Sequence, residues 1–343
     1  MVRVLIAEDS AVIRDILAYV LDEDPSIQVV GTARNGLEAT AQTERLKPDV
    51  VVMDVHMPQM NGFEATRWIM ERVPTPIVMV SASLNQDEVA MTFKALEAGA
   101  LTMLDKPGGF DHPEHTESTQ RLVTTVKLMA EVKVVRRWPR REHLVPPTPP
   151  PPVVSRTLRL VAIGDSTGGP QVIAEILANL PENLGVPLLV VQHIAPGFIV
   201  GFTKWLDQQS RLTVKLAEAG ESVRAGVVYV APDGSQMGLT KAGQILLTSG
   251  AAGYDFCPSA SYVFESVAEA YSRSAMGIIL TGMGRDGAQG LLRLREVQGI
   301  TIAQDEESSV VFGMPGAAIS LGAAEHVLPP LQIAAMIRTL AGE

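Results

Sequence analysis

The sequence predicts an α/β protein of two domains, each built around a mainly parallel sheet. The chain of 343 residues is long enough for two hydrophobic cores of ordinary size. Six of the seven residues at 146–152 are proline, and such a run cannot continue a helix or a sheet. On both sides of this run, short apolar segments alternate with segments of helical periodicity. That order is typical of parallel sheets covered by helices.

The first half shows five strand-like runs, each followed by a helical pattern. The predicted strands are 2–7, 29–30, 50–53, 77–80 and 100–104. The predicted helices are 11–21, 37–46, 63–70 and 89–96, and a last helix with apolar residues Leu122, Val126 and Met129 on one face. This (βα)5 order predicts a parallel sheet with helices on both faces.

The second half repeats the same kind of alternation after the proline run. Its predicted buried strands are 160–163, 188–191, 277–280 and 300–303. The segment 228–247 contains two turn signals and is predicted as a β-meander. We therefore expect one domain at 1–125, a helix end and proline-rich linker at 126–156, and a second domain at 157–343.

Composition narrows the class of protein. A formal net charge of −10 and a pI near 5.2 disfavour nucleic acid as a partner. No apolar run approaches the length of a membrane span, and the acidic start is unlike a signal peptide, so a cytoplasmic protein without membrane insertion is expected. The single cysteine, Cys257, has no partner for a disulfide and no neighbours suited to a zinc site, so it is interpreted as a packing residue.

Polar residues follow four of the predicted strands of the first half. They are Glu8 and Asp9, Asp54, Ser81 and Lys106. Because the carboxyl ends of parallel strands meet at one edge, the three carboxylates are expected to converge, and such a site suits Mg²⁺. A cation beside Asp54 would make that carboxylate a phosphoryl acceptor, while Ser81 and Lys106 hold phosphate oxygens.

A serine, a histidine and an aspartate follow three predicted strands of the second half. Ser166 lies in a glycine-rich turn that opens a helix, His193 follows the run 188–191, and Asp286 follows the run 277–280. A serine needs a base to become a nucleophile, and the base needs a group that orients its ring. The three residues therefore form a candidate catalytic triad, in an order that differs from the lipase-like α/β-hydrolases.

Two other interpretations of these glycine-rich turns remain open at this point. The turn at 164–170 has the composition of a phosphate-binding loop. The segment from Gly282 to Gly287 satisfies a dinucleotide-binding pattern, with Asp305 at a plausible distance for a ribose contact. This second interpretation leaves Ser166 and His193 without a role, and a nucleotide-binding assay would separate it from a hydrolase.

The acidic motifs of the first half resemble a response-regulator receiver domain. The matching segments are 8–10, 54–62, 81–83 and 106–107. The resemblance implies a flavodoxin-like (βα)5 fold, phosphorylation of Asp54, Mg²⁺ bound by Glu8, Asp9 and Asp54, and switch roles for Ser81 and Lys106. The family usually has an aromatic residue where this chain has Met103.

The second half resembles the chemotaxis response-regulator protein-glutamate methylesterases along nearly its whole length. The matching segments are 163–170, 192–193, 229–232, 279–287, 301–306 and 311–315. The resemblance implies a doubly wound α/β methylesterase domain without a cofactor, in which Ser166 is the nucleophile, His193 the base and Asp286 its orienting group. It also implies an oxyanion contact from the N–H of Met283.

The same resemblance implies a function for the whole chain. We expect hydrolysis of glutamyl methyl esters on chemoreceptors, deamidation of receptor glutamines, and phosphorylation by a chemotaxis histidine kinase that relieves inhibition. The resemblance does not extend to four positions around the triad, which are Asp165, Gln236, Cys257 and Ser261. These departures keep open a binding module that has lost catalysis.

Asp165 admits two interpretations, because it precedes the nucleophile where the family commonly has alanine. Its carboxylate could stabilise protonated His193 and disfavour an anionic intermediate, which would lower activity near neutral pH. Alternatively, it could face the N-terminus of the adjacent helix, where a negative charge is favourable and has little effect on the chemistry.

Overall fold

The computed structural model describes residues 1–81, 93–107, 115–132, 134, 157–250 and 253–342. The chain forms two compact units, one within 1–144 and one within 145–343. The proline run at 146–152 and the first part of the predicted helix 89–96 lie outside the described residues. The domain limits expected at 125 and 157 therefore stay predictions.

The first unit is a five-stranded sheet with helices between its strands. Its elements are β1 (Val2–Ala7), α1 (Ala11–Asp22), β2 (Ile27–Ala33), α2 (Gly36–Leu46), β3 (Val50–Asp54), α3 (Gly62–Arg72), β4 (Ile77–Ser81), α4 (helical residues 93–98), β5 (Thr102–Asp105) and α5 (His115–Glu131). The strand order is β2-β1-β3-β4-β5 and every pairing is parallel. The predicted (βα)5 order is confirmed within the described residues. The central strands β3 and β4 are completely buried, and they are apolar up to their last residues, Asp54 and Ser81.

The helix α3 begins at a well-formed N-cap close to the end of β3. The side chain of Asn61 accepts a hydrogen bond from the N–H of Glu64 at 2.9 Å, and the Glu64 carboxylate accepts one from the N–H of Asn61 at 3.1 Å. This reciprocal capping box satisfies two N–H groups that a helix start would otherwise leave unpaired. Gly62 follows at a point where a β-carbon would lie 2.1 Å from the carbonyl oxygen of Asp54. A side chain is therefore excluded there, and the cap fixes how the chain leaves the strand end that carries Asp54.

The second unit has a seven-stranded sheet and a separate hairpin. Its elements are β6 (Leu160–Asp165), α6 (Gly169–Ala178), β7 (Leu188–Gln192), α7 (Ile199–Gln209), β8 (Thr213–Leu216), β9 (Val227–Val230), β10 (Ser235–Leu239), β11 (Ile245–Ser249), α8 (Ala260–Tyr271), β12 (Ala275–Ile279), α9 (Ala288–Glu296), β13 (Ile300–Gln304), α10 (Met314–Ser320), β14 (His326–Leu328) and α11 (Pro330–Ala341). The sheet order is β14-β13-β12-β6-β7-β9-β8, with parallel pairing throughout. The predicted mainly parallel, doubly wound sheet is confirmed.

The predicted meander at 228–247 is wrong in part. Its first strand, β9, joins the parallel sheet between β7 and β8, and only β10 and β11 pair with each other in antiparallel fashion. β9 is buried at three of its four residues and pairs with parallel neighbours on both sides, which a local turn pattern does not reveal. The edge strands β8 and β14 were also missed, since each is only three or four residues long.

Close packing at glycine places α8 against the centre of the large sheet. A β-carbon at Gly164 would lie 2.5 Å from the β-carbon of Ala260, the first residue of α8. Glycine at this position therefore allows the N-terminus of α8 to approach the carboxyl end of β6. Within the described ranges, no helix combines the length and apolar character needed to cross a membrane.

Removal of the Asn61 cap should destabilise the first unit. In Asn61→Ala the N–H of Glu64 loses its acceptor, and we expect the free energy of unfolding to fall by about 1 kcal/mol. Thermal denaturation followed by circular dichroism measures this change. Asn61→Asp is the matched control, since an aspartate accepts the same hydrogen bond. Equal stability of the alanine and aspartate variants would contradict the capping role.

Candidate active site

Ser166 lies in the turn between β6 and α6, at the carboxyl edge of the large sheet. Its N–H donates to the carbonyl oxygen of Thr281 at 3.0 Å, and its own carbonyl accepts from the N–H of Gly169 at 2.9 Å. Gly168 has a φ of 80°, and a β-carbon there would lie 2.6 Å from Val310. The turn is therefore tight, and its backbone is tied to the loop after β12. Ser166 itself remains partly exposed, as a nucleophile must be.

His193 follows β7 and faces the aspartate predicted to orient it. Its backbone N–H donates to the carbonyl of Asp165 at 3.0 Å, which extends the pairing of β6 and β7 by one residue. Its Nε2 lies 2.9 Å from Oδ2 of Asp286. The ring of Phe256 stacks on the imidazole with centroids 4.6 Å apart and planes inclined by 13°. One edge and one face of the imidazole are thus fixed by neighbouring side chains.

The carboxylate of Asp286 is buried and well supplied with hydrogen-bond donors. The donors are Ser259 Oγ at 2.8 Å, Ala260 N at 2.7 Å, Ser261 N at 3.2 Å and Gly287 N at 2.8 Å. Two of these N–H groups belong to the first turn of α8, where the helix leaves donors unpaired. Burial alone would raise the pKa of Asp286, but the contact with His193 and the donated hydrogen bonds outweigh it and hold that pKa well below its usual range.

The loop after β12 lies directly beside the nucleophile. A β-carbon at Gly282 would lie 2.8 Å from Cβ of Ser166, so only glycine allows this approach. The next residue, Met283, has a partly exposed side chain. Thr281 holds the loop, because its hydroxyl donates to the carbonyl of Thr167 at 2.9 Å and its N–H donates to Gln304 Oε1 at 2.8 Å. The backbone N–H of Met283 is therefore carried by a loop that is anchored at Thr281.

Gln192 was missed by the sequence analysis, although it immediately precedes His193. Its side chain is buried, and its Nε2 donates to the carbonyl oxygens of Ser166 and His193, each at 3.0 Å. One amide group thus links the backbones of the candidate nucleophile and the candidate base. A polar residue at the last position of a buried apolar strand was the available signal, by the rule that identified His193.

The side chain of Asp165 is completely buried and lies against Gly169 in the first turn of α6. A β-carbon at Gly169 would lie 1.8 Å from Oδ1 of Asp165. Of the two interpretations, the structure favours the one in which the side chain faces the N-terminus of α6. However, neither carboxylate oxygen accepts a hydrogen bond from any described residue. It is therefore not a cap in the hydrogen-bonding sense. Burial raises the pKa of Asp165 well above its usual range.

The other three departures from the family pattern surround Asp286. Gln236 is buried on β10; its Oε1 accepts from the N–H of Ser259 and its Nε2 donates to the carbonyl of Phe256. Ser261 accepts a hydrogen bond from the N–H of Gly287 at 2.8 Å. Cys257 is half-buried with Sγ 3.2 Å from the carbonyl of Gly250. These residues hold the turn before α8, and none adds a charge beside the aspartate.

The first unit brings its three predicted carboxylates together. Carboxylate oxygens of Glu8, Asp9 and Asp54 all lie within 4.8 Å of one another. Nζ of Lys106 lies 2.8 Å from both Glu8 and Asp54. Burial raises the pKa of the Glu8 and Asp54 carboxyl groups despite their ion pairs with Lys106, so negative charge is costly at this site. Hard oxygen donors at this spacing fit a divalent cation, which would offset that cost.

Ser81 and Met103 occupy adjacent strands of the small sheet. Ser81 is the last residue of β4 and is buried, while Met103 is a buried residue in the middle of β5. The residue that departs from the aromatic norm therefore packs inside the unit. The order of strands β1, β3, β4 and β5 explains how residues far apart in the chain reach one edge.

The first unit is a five-stranded sheet with an acidic pocket, and the second is an α/β unit with Ser, His and Asp at one sheet edge. Together they define the class of response regulators that carry an enzymatic output domain. The family description "CheB methylesterase" matches residues 161–337, and the description "Response regulator receiver domain" matches residues 4–116. The chain belongs to the CheB methylesterase family.

Relatives and a solved structure extend this result over the whole chain. The chain is 48% identical over 347 residues to a protein-glutamate methylesterase/protein-glutamine glutaminase of Syntrophus aciditrophicus, covering 100% of this chain and 99% of that protein. It is 49% identical over 346 residues to one of Geobacter metallireducens, covering both chains completely. The crystal structure of the Thermotoga maritima CheB methylesterase catalytic domain is 39% identical, with a TM-score of 0.51, and covers 53% of this chain and 98% of that chain.

Asp286→Asn should lower the stability of the second unit in a pH-dependent way. The pKa of Asp286 is lower in the folded protein than the ordinary value of 3.8, so its carboxylate stabilises the fold at pH values above 3.8. This contribution is lost as the pH falls through the folded-state value. We expect a loss of about 2 kcal/mol at pH 7 in urea denaturation. The difference from the wild type should shrink below pH 3.8, and a constant difference would contradict the shifted pKa.

Proposed function

We propose that this protein hydrolyses glutamyl methyl esters on chemoreceptors and deamidates receptor glutamines, and that phosphorylation of Asp54 relieves its inhibition. The observation that carries this proposal is the 2.9 Å contact between His193 and Asp286 at the sheet edge where the Ser166 turn begins. It is supported by relatives named protein-glutamate methylesterase/protein-glutamine glutaminase at 48% and 49% identity over the full chain.

Ser166, His193 and Asp286 act as nucleophile, base and orienting group. Since Nε2 of the imidazole faces Asp286, its other nitrogen, Nδ1, takes the proton as Ser166 Oγ attacks the ester carbonyl. Asp286 is held in its charged form by its hydrogen bonds and stabilises the imidazolium that results. The hydrogen bonds from α8 therefore act on the reaction through the charge of this carboxylate.

The tetrahedral intermediate carries a negative charge on the former carbonyl oxygen. The N–H of Met283, on the loop that passes within contact of Ser166, donates to this oxygen. The imidazolium then protonates the leaving oxygen and methanol departs, which leaves an acyl-enzyme on Ser166. Water, deprotonated by His193, attacks the acyl-enzyme. The imidazolium then returns this proton to Ser166 Oγ as the bond to the serine breaks and the glutamate side chain is released. With a glutamine the same steps release ammonia.

The first unit regulates this reaction through Asp54. Mg²⁺ held by Glu8, Asp9 and Asp54 would neutralise charge on the phosphoryl group during its transfer. Lys106, which contacts Asp54 and Glu8, is placed to hold a phosphate oxygen once Asp54 is phosphorylated. Ser81 ends the neighbouring strand and takes a second oxygen through its hydroxyl. Met103 stands where the family usually has an aromatic switch residue. This replacement weakens the coupling between phosphorylation and activity.

The partners follow from this reaction. The substrates are methyl-accepting chemoreceptors, and the phosphoryl donor is the chemotaxis histidine kinase. We place this protein in the cytoplasm. An acidic chain with a net charge of −10 is not suited to nucleic acid, and the second unit needs no cofactor for acyl transfer by serine.

Ser166→Ala should abolish ester hydrolysis and leave the fold intact. Loss of the nucleophile removes covalent catalysis, so methanol release from methylated receptor should fall by at least about 10⁴-fold. Ser249→Ala removes an exposed hydroxyl from β11 and is the matched control. Turnover by Ser166→Ala near the wild-type rate would overturn the assignment. A wild-type protein without turnover would favour a binding module that has lost catalysis.

Asp54→Asn should block activation by a phosphoryl donor. Addition of acetyl phosphate with Mg²⁺ should raise methanol release by the wild-type protein, while the amide of Asp54→Asn accepts no phosphoryl group. Asp15→Asn, an exposed carboxylate on α1, is the control and should respond like the wild type. Equal stimulation of Asp54→Asn would place the phosphoryl acceptor elsewhere.

A further inference from the structure

Asp165 is a completely buried acidic residue at the carboxyl edge of the large sheet. Its side chain has no exposed surface, and both carboxylate oxygens are buried without a hydrogen-bond donor among the described residues. In the adjacent first turn of α6, Pro170 has no N–H and cannot donate a hydrogen bond to this carboxyl group. An ionised carboxylate in such a place would be far more costly than a neutral carboxylic acid.

A buried side-chain oxygen on β7, the strand next to that of Asp165, also lacks a donor among the described residues. Gln192 and Asp165 are directly paired in the parallel register of β7 and β6, so their side chains point to the same face of the sheet. The Nε2 of Gln192 donates to two carbonyl oxygens, which fixes the orientation of the amide because carbonyls only accept. Its Oε1 is therefore left buried, with no donor among the described residues.

A proton on Asp165 would give both side chains a hydrogen-bond partner, because the carboxylic acid can donate to the Gln192 oxygen. We propose that Asp165 is a neutral carboxylic acid that donates to Gln192 Oε1, and that it is a positioning residue for Ser166 and His193. The hydroxyl of Asp165 orients the amide of Gln192, and this amide holds the backbone carbonyls of the nucleophile and the base. The inference rests on the proposed roles of Ser166 and His193 and adds the device that fixes their spacing.

The surroundings of Asp165 agree with a neutral acid. Burial alone raises its pKa well above the usual range, with no charged partner contributing. The elements packed around it carry few titratable groups: α6 has only Glu175, and β7 is followed by His193, while β12 has none. A negative charge at Asp165 would therefore have no lysine or arginine on these elements to offset it.

The first experiment measures hydrolysis of p-nitrophenyl acetate by the full chain. Asp165→Leu removes the donor and should lower kcat at least tenfold with little change in KM, because the chemistry loses alignment and a small ester makes few binding contacts. Asp165→Asn supplies an N–H donor of the same shape and should restore kcat to within about threefold of the wild type. If Asp165→Asn is as impaired as Asp165→Leu, a charged carboxylate is required and the proposal is wrong.

A double-mutant cycle tests the route through the amide. In a Gln192→Leu background, Asp165→Leu should cause little further loss, since the link to Ser166 and His193 is already cut. Full additivity of the two losses would show that Asp165 acts independently of Gln192 and would overturn the proposed chain.

A second experiment needs no turnover, so it stays informative if the proposed function fails or a variant folds poorly. The infrared difference spectrum of wild type minus Asp165→Asn at pH 7 should show the carbonyl stretch of a protonated carboxylic acid. Because the folded-state pKa is raised above 3.8, the wild type loses stability relative to Asp165→Asn as pH rises above that value. We expect the Tm of Asp165→Asn to exceed that of the wild type by roughly 3 °C at pH 7. The two Tm values should converge below pH 3.8. A carboxylate band at pH 7, or a Tm difference independent of pH, would overturn the proposal.

Discussion

Parallel pairing of β6 with β7 on one side and β12 on the other is the constraint on which the second unit depends. It places the ends of three strands side by side although Ser166, His193 and Asp286 span 120 residues of chain. The hydrogen bonds from Ser166 N to Thr281 O and from His193 N to Asp165 O continue the pairing just beyond the strands. The positions of the reacting groups therefore follow from the backbone of the sheet, and side chains only complete them.

Two buried aspartates close to that edge show how differently the protein treats a carboxyl group. Asp286 receives hydrogen bonds from a serine hydroxyl and from the N-terminus of α8, and its pKa is lowered. Asp165 receives none from the described residues, and its pKa is raised. Burial is common to both, so the contact with His193 and the supply of hydrogen-bond donors, which only Asp286 has, decide the direction of each pKa shift. In the proposed reaction, the same fold thus provides one anion to stabilise an imidazolium and one neutral acid beside it.

Much of the fold and the candidate site could be predicted from the sequence, because apolar runs that end in polar residues mark the carboxyl edge of a parallel sheet. This rule located Glu8, Asp54, His193 and Asp286. It could not show which face of a strand a terminal side chain takes, so the surroundings of Asp165 stayed undecided. Short edge strands such as β8 bury few side chains and leave little periodic signal. The contact of Phe256 with His193 joins two residues that are 63 positions apart in the chain, and no local pattern encodes it.

That stacked ring has a consequence for the order of events in the proposed reaction. Phe256 lies against one face of the imidazole and Asp286 lies at Nε2, and both contacts oppose a flip of the ring between the two half-reactions. A single nitrogen must then carry the proton out to the departing alcohol and later accept one from water. Alcohol and water therefore occupy the same place in succession, so the alcohol has to diffuse away first. Added methanol would compete with water for the acyl-enzyme, and part of the acyl-enzyme would return to the methyl ester.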